Sequence, residues 1–506
     1  MKPRHLGLFL AAAMALGAPL WAGENWIYSR TASFELLSSA SEKESRHLLV
    51  ELEQFRASFL ATFPLGRARE PRVTVVLFDT NRQFTPYKPI YKGKPKDVLG
   101  FFAARPDEVA IALTTETKDS RDADPIEVIF HEYVHLLLFT HDLQLPLWLD
   151  EGLAEFYSTF QVEDNSIVFG QPQTLLIKRL NYTALMPLPE LFAVTQKSAD
   201  YNNADRAGSF YAQSWLLTHF LICGTNRTNT DKLIRFLLLQ KTSPGKMDAN
   251  FREAFGQKPA ELEAELRSYI ESGWYHTRKA KLPVADLAAK IVFRPATDFE
   301  RDFALLNLRW RVHQNGDAAQ SALQLAEQQP NSPRPFELMA AIATQGGEKV
   351  KATQYWERAV DLKSDNAFVY QALAGTILSE LTREFSLDYR LPPRRAADLR
   401  FWLDRALELS PDYFAAQETL AFSEAFAPGI RVPVVLRLQE AVHQMTDPTR
   451  TLLALAIIRW RLNDQPTSAK IVENLLTSPQ ATPEVKAAAR TLRERLAATD
   501  AGRPWP

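Results

Sequence analysis

The sequence predicts two architectures in one chain. The first is an α+β domain, a small N-terminal sheet followed by a helical subdomain; the second is an all-α superhelix of paired helices. Three observations carry this reading. The clear β-branched runs fall before about residue 120. From Asp124 to His276 the apolar residues recur almost throughout at helical spacing. Beyond residue 297 small and apolar residues return at intervals near 34 residues. A chain of 506 residues is also too long for one compact core. The expected division is 1–22, 23–119, 120–276, a linker at 277–297, and repeats over 298–500.

The first 22 residues read as a secretory signal peptide. Lys2 and Arg4 precede an apolar run from Leu6 to Leu20, and Trp21-Ala22-Gly23 follows. Export to a periplasm or the medium is expected, with no stable membrane span after cleavage. The sheet elements come next. Ser33 to Leu37 and Val73 to Phe78 read as strands, separated by a helical pattern from Glu42 to Phe63 that stops at Pro64. Gly100–Ala104, Arg105–Glu108 and Val109–Leu113 read as strand, turn, strand. A short hairpin is expected around Gln161 to Gly170. With 59 basic and 60 acidic residues the net charge is -1, which gives no electrostatic reason for a nucleic-acid partner. Cys223 is the one cysteine, so no intrachain disulfide forms; in an apolar stretch it reads as a buried small side chain.

The chemistry-bearing motif is His131-Glu132-Tyr133-Val134-His135. Asp124-Pro125-Ile126-Glu127 upstream is a good helix start, so the motif falls about two turns into a helix ending near Thr140. Residues four apart share a helix face with a rise of about 6 Å, so both imidazoles can reach one metal, flanked by Glu132. A catalytic zinc site needs a third protein ligand. Leu145 to Phe156 supplies it on a second helix started by Pro146, where Glu151 and Glu155 share a face. Fifteen residues intervene between His135 and Glu151, enough for a loop and an antiparallel return. Glu155 is placed to accept the free imidazole N–H of a ligating histidine; a surface salt bridge is the competing reading. His141 and His219 are not needed as ligands, although His219 could line the cleft.

His-Glu-Tyr-Val-His followed by Leu-Trp-Leu-Asp-Glu-Gly-Leu-Ala-Glu-Phe resembles the gluzincin metallopeptidases. The likeness is to the zinc aminopeptidases over about His131 to Leu221, and to bacterial peptidase MA-like domains over about Phe34 to Ile270. It implies a zincin-like α+β catalytic domain holding one Zn2+, with His131, His135 and Glu151 as ligands and Glu132 as general base. Phe210 to Leu216 resembles the segment whose tyrosine stabilises the oxyanion, which points to Tyr211. Tyr201 and Tyr157 compete for that role, and Tyr211 could equally be a core residue. The spacer before the third ligand is shorter than in the aminopeptidases, and no Gly-Ala-Met-Glu-Asn-like segment is present. Nothing therefore supports exopeptidase action, and an endopeptidase is expected. The Gly100–Leu113 hairpin could offer its edge to an extended substrate or be a plain sheet hairpin.

In the C-terminal half Leu325, Ala359, Ala406, Ala441 and Leu475 occupy equivalent places, at intervals of 34, 47, 35 and 34. This pattern resembles the tetratricopeptide repeat, with a loop at the Thr382–Arg394 insertion. Trp356, Tyr370 and Trp402 fall at helix-packing spacing. Stacked helix pairs form a concave surface that suits an extended protein partner. The expected function is an exported zinc peptidase acting on a peptide or protein substrate, with repeats that recruit substrate or partner. The alternatives are an envelope interaction scaffold with a vestigial peptidase domain, or a zinc hydrolase of cell-wall peptides.

Overall fold

The computed structural model describes residues 25–500 apart from 63–70, 92, 117–124, 142–144, 164–165, 225–227, 244–245, 282–286, 314–316, 385 and 446. The expected signal peptide and the Asp124 cap lie outside the described residues. Near the N-terminus stand β1 (Ile27–Arg30), β2 (Phe34–Ser38), helix α1 (Glu42–Thr62) and β3 (Arg72–Phe78). They are followed by β4 (Gly100–Ala104) and β5 (Glu108–Thr114). The strands form one sheet in the order β1-β2-β3-β5-β4, and Arg294–Pro295 adds to the outer side of β1. β2, β3 and β5 run parallel, whereas β4 returns antiparallel along β5 and forms the far edge.

The run Val73–Phe78, apolar but for Thr74, has a physical cause: both faces of this sheet are covered. On one face Phe34, Leu36, Val73, Val75, Ile111 and Leu113 pack against α1 and against α2 (Pro125–Thr140). Helix α2 presents Phe130, Tyr133, Val134 and Leu137 inward, an i, i+3, i+4, i+7 stripe. Phe130 stacks on Phe55 of α1 with ring centroids 4.3 Å apart. His131 and His135 therefore fall off the core stripe, on the rim of the domain. Beyond α2 come α3 (Leu147–Ser158), the 161–169 hairpin, and α4 (Ala204–Cys223).

The other face of the sheet is covered by the first repeat helix, α5 (Asp298–His313). Ala304, Leu305 and Leu308 pack there on Val76, Phe78, Phe101 and Ala112. Among the described residues, five helix pairs and a closing helix follow one another from Asp298 to Asp500. Ala359, Ala406 and Leu475 are buried where helices cross, as are Trp356 and Tyr370, whereas Trp402 is half-buried. The insertion is a loop between Leu381 and Pro393, anchored by buried Leu387 and Leu391, whose amide donates to the Phe426 carbonyl at 2.8 Å.

The 277–297 segment does more than link. Arg278–Lys281 pairs with the Ser166–Phe169 strand of the helical subdomain, and Arg294–Pro295 pairs with β1. A buried ion network then fixes the repeats to the sheet. Glu108 accepts from Asn307 (2.9 Å), Arg311 (3.2 Å) and Thr74. Arg334 reaches Glu35 at 2.8 Å, and Arg72 reaches Glu337 at 3.3 Å. Among the described residues no helix is long and apolar enough to cross a membrane.

Candidate metal centre

Helices α2 and α3 meet in an antiparallel pair whose facing positions are His131, His135 and Glu151. The two Nε2 atoms lie 3.2 Å apart, and Glu151 Oε2 lies 3.4 Å from each. Among the described residues these three are the one His/Cys/Asp/Glu group able to hold a metal. The triangle can be tested against metal chemistry. Three tetrahedral zinc ligands with bonds of about 2.0–2.1 Å have donor–donor separations of ~3.3 Å. The observed edges match. Glu151 is buried, and its Oε2 makes no hydrogen bond to protein, a costly state for a carboxylate oxygen unless a cation meets it. Two imidazoles and one carboxylate suit zinc better than calcium or magnesium, which take oxygen-rich shells. The residues fit.

Without a metal, the same cluster draws a proton, which an ion would have to displace from the imidazole. Burial disfavours charge on His135, but the hydrogen-bonded Asp150 carboxylate and the Glu151 carboxylate 3.4 Å away outweigh it and raise its pKa from 6.5 to about 10. Burial also opposes ionisation of Glu151, yet His131 and His135 bring its carboxyl down to about 2. The pocket is built to hold positive charge.

Each imidazole is steered from behind. His131 Nδ1 faces Glu155 Oε1 at 3.7 Å, and Gln173 donates to the other Glu155 oxygen at 3.2 Å. Burial raises the Glu155 pKa, with the charges of His131 and Glu151 acting in opposite senses. His135 Nδ1 donates to Asp150 Oδ1 at 3.0 Å, a contact that sequence reasoning missed. The available signal was that two ligating histidines need two Nδ1 acceptors, while only Glu155 had been assigned. Asp150→Asn and Glu155→Gln are each expected to weaken zinc binding by about 10–100-fold, read by competition with a chelator.

Glu132 sits half-buried beside His131 on α2. Tyr201 donates to Glu151 Oε1 at 2.8 Å, so its hydroxyl proton is committed to orienting the carboxylate. Tyr211 hydrogen-bonds Tyr201, and its ring centroid lies 6.5 Å from that of His131. Burial and the nearby Glu151 charge push the Tyr211 phenol well above its usual pKa, keeping it protonated. Tyr157 is elsewhere, stacked on Phe169 in the core. His219 does not line the cleft. It is buried between Tyr269 and the Gly170 carbonyl, 2.9 Å from each, and burial lowers its pKa to about 4. His141 is turned onto the Leu137 carbonyl at 2.7 Å.

Gly152 explains why a glycine follows Glu151. A Cβ there would stand 2.5 Å from the Ser214 carbonyl oxygen of α4 and would collide with the Thr218 hydroxyl. Gly152→Ala is expected to cost about 1–3 kcal/mol of stability, seen in thermal melts, and to loosen zinc by displacing Glu151.

Fold and site together define a helical-repeat protein that carries a His-His-Glu cluster on a helix pair beside a mixed sheet. The segment 125–246, which contains all three cluster residues, matches a family described as a protein of unknown function (DUF1570). No curated protein matches the chain. Among solved structures, the crystal structure of the P58(IPK) TPR domain is 14% identical over 59% of this chain and 85% of its own, with a TM-score of 0.19. Yeast Tom70 is 13% identical over 74% of this chain and 89% of its own, with a TM-score of 0.21. Superpositions that loose carry no functional argument.

Proposed function

We propose that this chain is an exported zinc-dependent peptidase of gluzincin type, most simply an endopeptidase. The observation that carries the reading is the triangle of His131, His135 and Glu151, whose 3.2–3.4 Å edges have the dimensions of a tetrahedral ligand set. His131, His135 and Glu151 would hold the ion. When bound, zinc supplies Lewis acidity, polarising a carbonyl and making water acidic enough to ionise near neutral pH. Glu132 takes the proton released as water attacks the peptide carbonyl and hands it to the leaving amine. Tyr211, kept protonated by burial, would turn its hydroxyl from the Tyr201 oxygen to donate to the oxyanion. Tyr201 holds Glu151 in place, Asp150 fixes the His135 tautomer, and Glu155 faces His131 Nδ1 at 3.7 Å, where it favours an N–H on that nitrogen. β4 lies at a sheet edge alongside α2, and an extended peptide could pair there.

A second reading has its own support in the repeat stack. Adjoining grooves of about 810 and 430 Å3 share Gln371, Gly375, Ser379 and Thr382. A concave helical surface of that kind suits a protein partner. A scaffold without catalysis would use it alone; a peptidase would use it to recruit a partner or substrate.

The test is a peptide library offered to purified Gly23–Pro506 and to its Glu132→Gln variant, both zinc-loaded and read by mass spectrometry. Cuts made by the first and missing with the second support the peptidase. Zinc bound without cuts from either favours the scaffold, or a hydrolase of cell-wall peptides.

A further inference from the structure

An apolar cavity of about 600 Å3 lies between the catalytic face and the repeats. Its apolar walls come mainly from Ala104 at the end of edge strand β4, Leu136 and Phe139 on α2, and Tyr413, Phe414 and Ala415 at the start of the repeat helix Phe414–Phe426, with Arg105 and Asp412 also lining it. Phe139 is 80% exposed, an unusual state for a phenyl ring on a helix otherwise so well packed. Its position is informative. His131, His135 and Phe139 are spaced i, i+4, i+8, so the ring continues the imidazole face by one turn, about 6 Å of rise beyond His135.

β4 gives the second coordinate. Gly100 approaches Ile129 near the start of α2, and Ala104 lines the cavity with Leu136 and Phe139 near its end. Strand and helix therefore run in the same direction, and along the helix axis His131 and His135 fall between those two contacts. An extended chain added to β4 advances about 3.3 Å per residue. It would pass the imidazoles and deliver a side chain into the cavity one or two residues later. The repeats are held to the sheet by the Glu108–Arg311 and Glu35–Arg334 pairs, so the far wall is preformed rather than recruited.

We infer that this cavity is a specificity pocket for a large apolar side chain (Leu, Phe or Trp) of an extended peptide, and that the repeat domain supplies its outer wall. The inference rests on the peptidase reading for the identity of its occupant. The repeats thus help to choose the substrate at the site itself, in addition to any partner they hold in their groove.

The probe is a set of fluorophore-labelled Gly/Ala octapeptides carrying Phe, Leu or Ala at each position in turn. Binding is measured by polarisation on zinc-loaded full-length Glu132→Gln, and cleavage on the wild type. One position should favour Phe or Leu over Ala by about tenfold or more, as burial of a large side chain predicts. Ala415→Trp, which fills the cavity, should bring that ratio close to one. Phe139→Ala, at an exposed position that cannot threaten folding, should lower it several-fold. Cleavage with no such position, or a preference unmoved by both variants while their melts match wild type, overturns the pocket and leaves the peptidase standing. A preference in binding that both variants remove, with no wild-type cleavage, keeps the pocket and removes the peptidase. Absence of any peptide binding overturns the pocket.

Discussion

Glu132→Gln is expected to retain one zinc per chain and the wild-type melting temperature while losing about 100- to 10,000-fold in turnover, the usual contribution of a positioned general base. Gln keeps the shape and removes the basic oxygen. The separation of outcomes follows from position. Glu132 is outside the 3.2–3.4 Å triangle, so metal retention does not depend on it. His135→Ala or Glu151→Ala should behave differently, losing metal and activity together. Equilibrium dialysis for zinc, a thermal melt and peptide turnover on the same samples distinguish the two. Loss of metal and fold in Glu132→Gln would overturn the assignment of base and ligands.

Arg311→Leu is expected to be the most damaging substitution far from the His131–His135–Glu151 cluster, costing about 3–5 kcal/mol, because it leaves buried carboxylates without their partner. The Arg311 side chain is 1% exposed and meets Glu108 at 3.2 Å, Asp107 at 2.9 Å and the Glu108 carbonyl at 3.0 Å. Denaturant melts of the full chain should show the loss. The same interface predicts an acid transition. Burial opposes ionisation of Glu35, but Arg334 and Arg72 overcome it and lower its pKa from 4.5 to about 2. A carboxyl depressed on folding stabilises fully above its unfolded value. That contribution, about 3 kcal/mol, is complete above pH 4.5 and disappears as the pH falls toward 2. Glu108 is depressed too, by Arg311 and Arg334 against its burial, and adds to the same loss. Melts between pH 6 and 2.5 should therefore fall steeply below pH 4.5, and Glu35→Gln should flatten that fall.

The local elements were legible in the residues because local physics decides them. Val73–Phe78 is β-branched and apolar, and Pro125 starts a helix that ends at Thr140. Gln161 to Gly170 contains the expected hairpin, and the 34-residue period marks the repeat helices. Four-residue spacing placed His131 and His135 on one face, and helix return brought Glu151 within reach. Which acid serves which imidazole was not local. Asp150 and Glu155 sit on either side of Glu151 in sequence, and the crossing of α2 over α3 decides that Asp150 takes His135 and Glu155 faces His131. The tyrosines were undecided for the same reason: Tyr201, Tyr211 and Tyr157 differ in which face of a packed subdomain they meet, not in sequence spacing.

By itself the sequence determined the element types, the helix-borne His-Glu-x-x-His face and the repeat period, since each depends on side chains within a few residues of one another or on recurrence along the chain. Only the tertiary structure decided that the first repeat helix closes the second face of the sheet, that 277–297 contributes strands to both parts, and that repeat residues wall a cavity against the end of the histidine-bearing helix α2. The fold pairs Glu108 with Arg311 and sets Leu136 and Phe414 around one cavity, across some 200 to 280 residues. Burial of charge and shape between distant surfaces leaves no periodic trace in either partner.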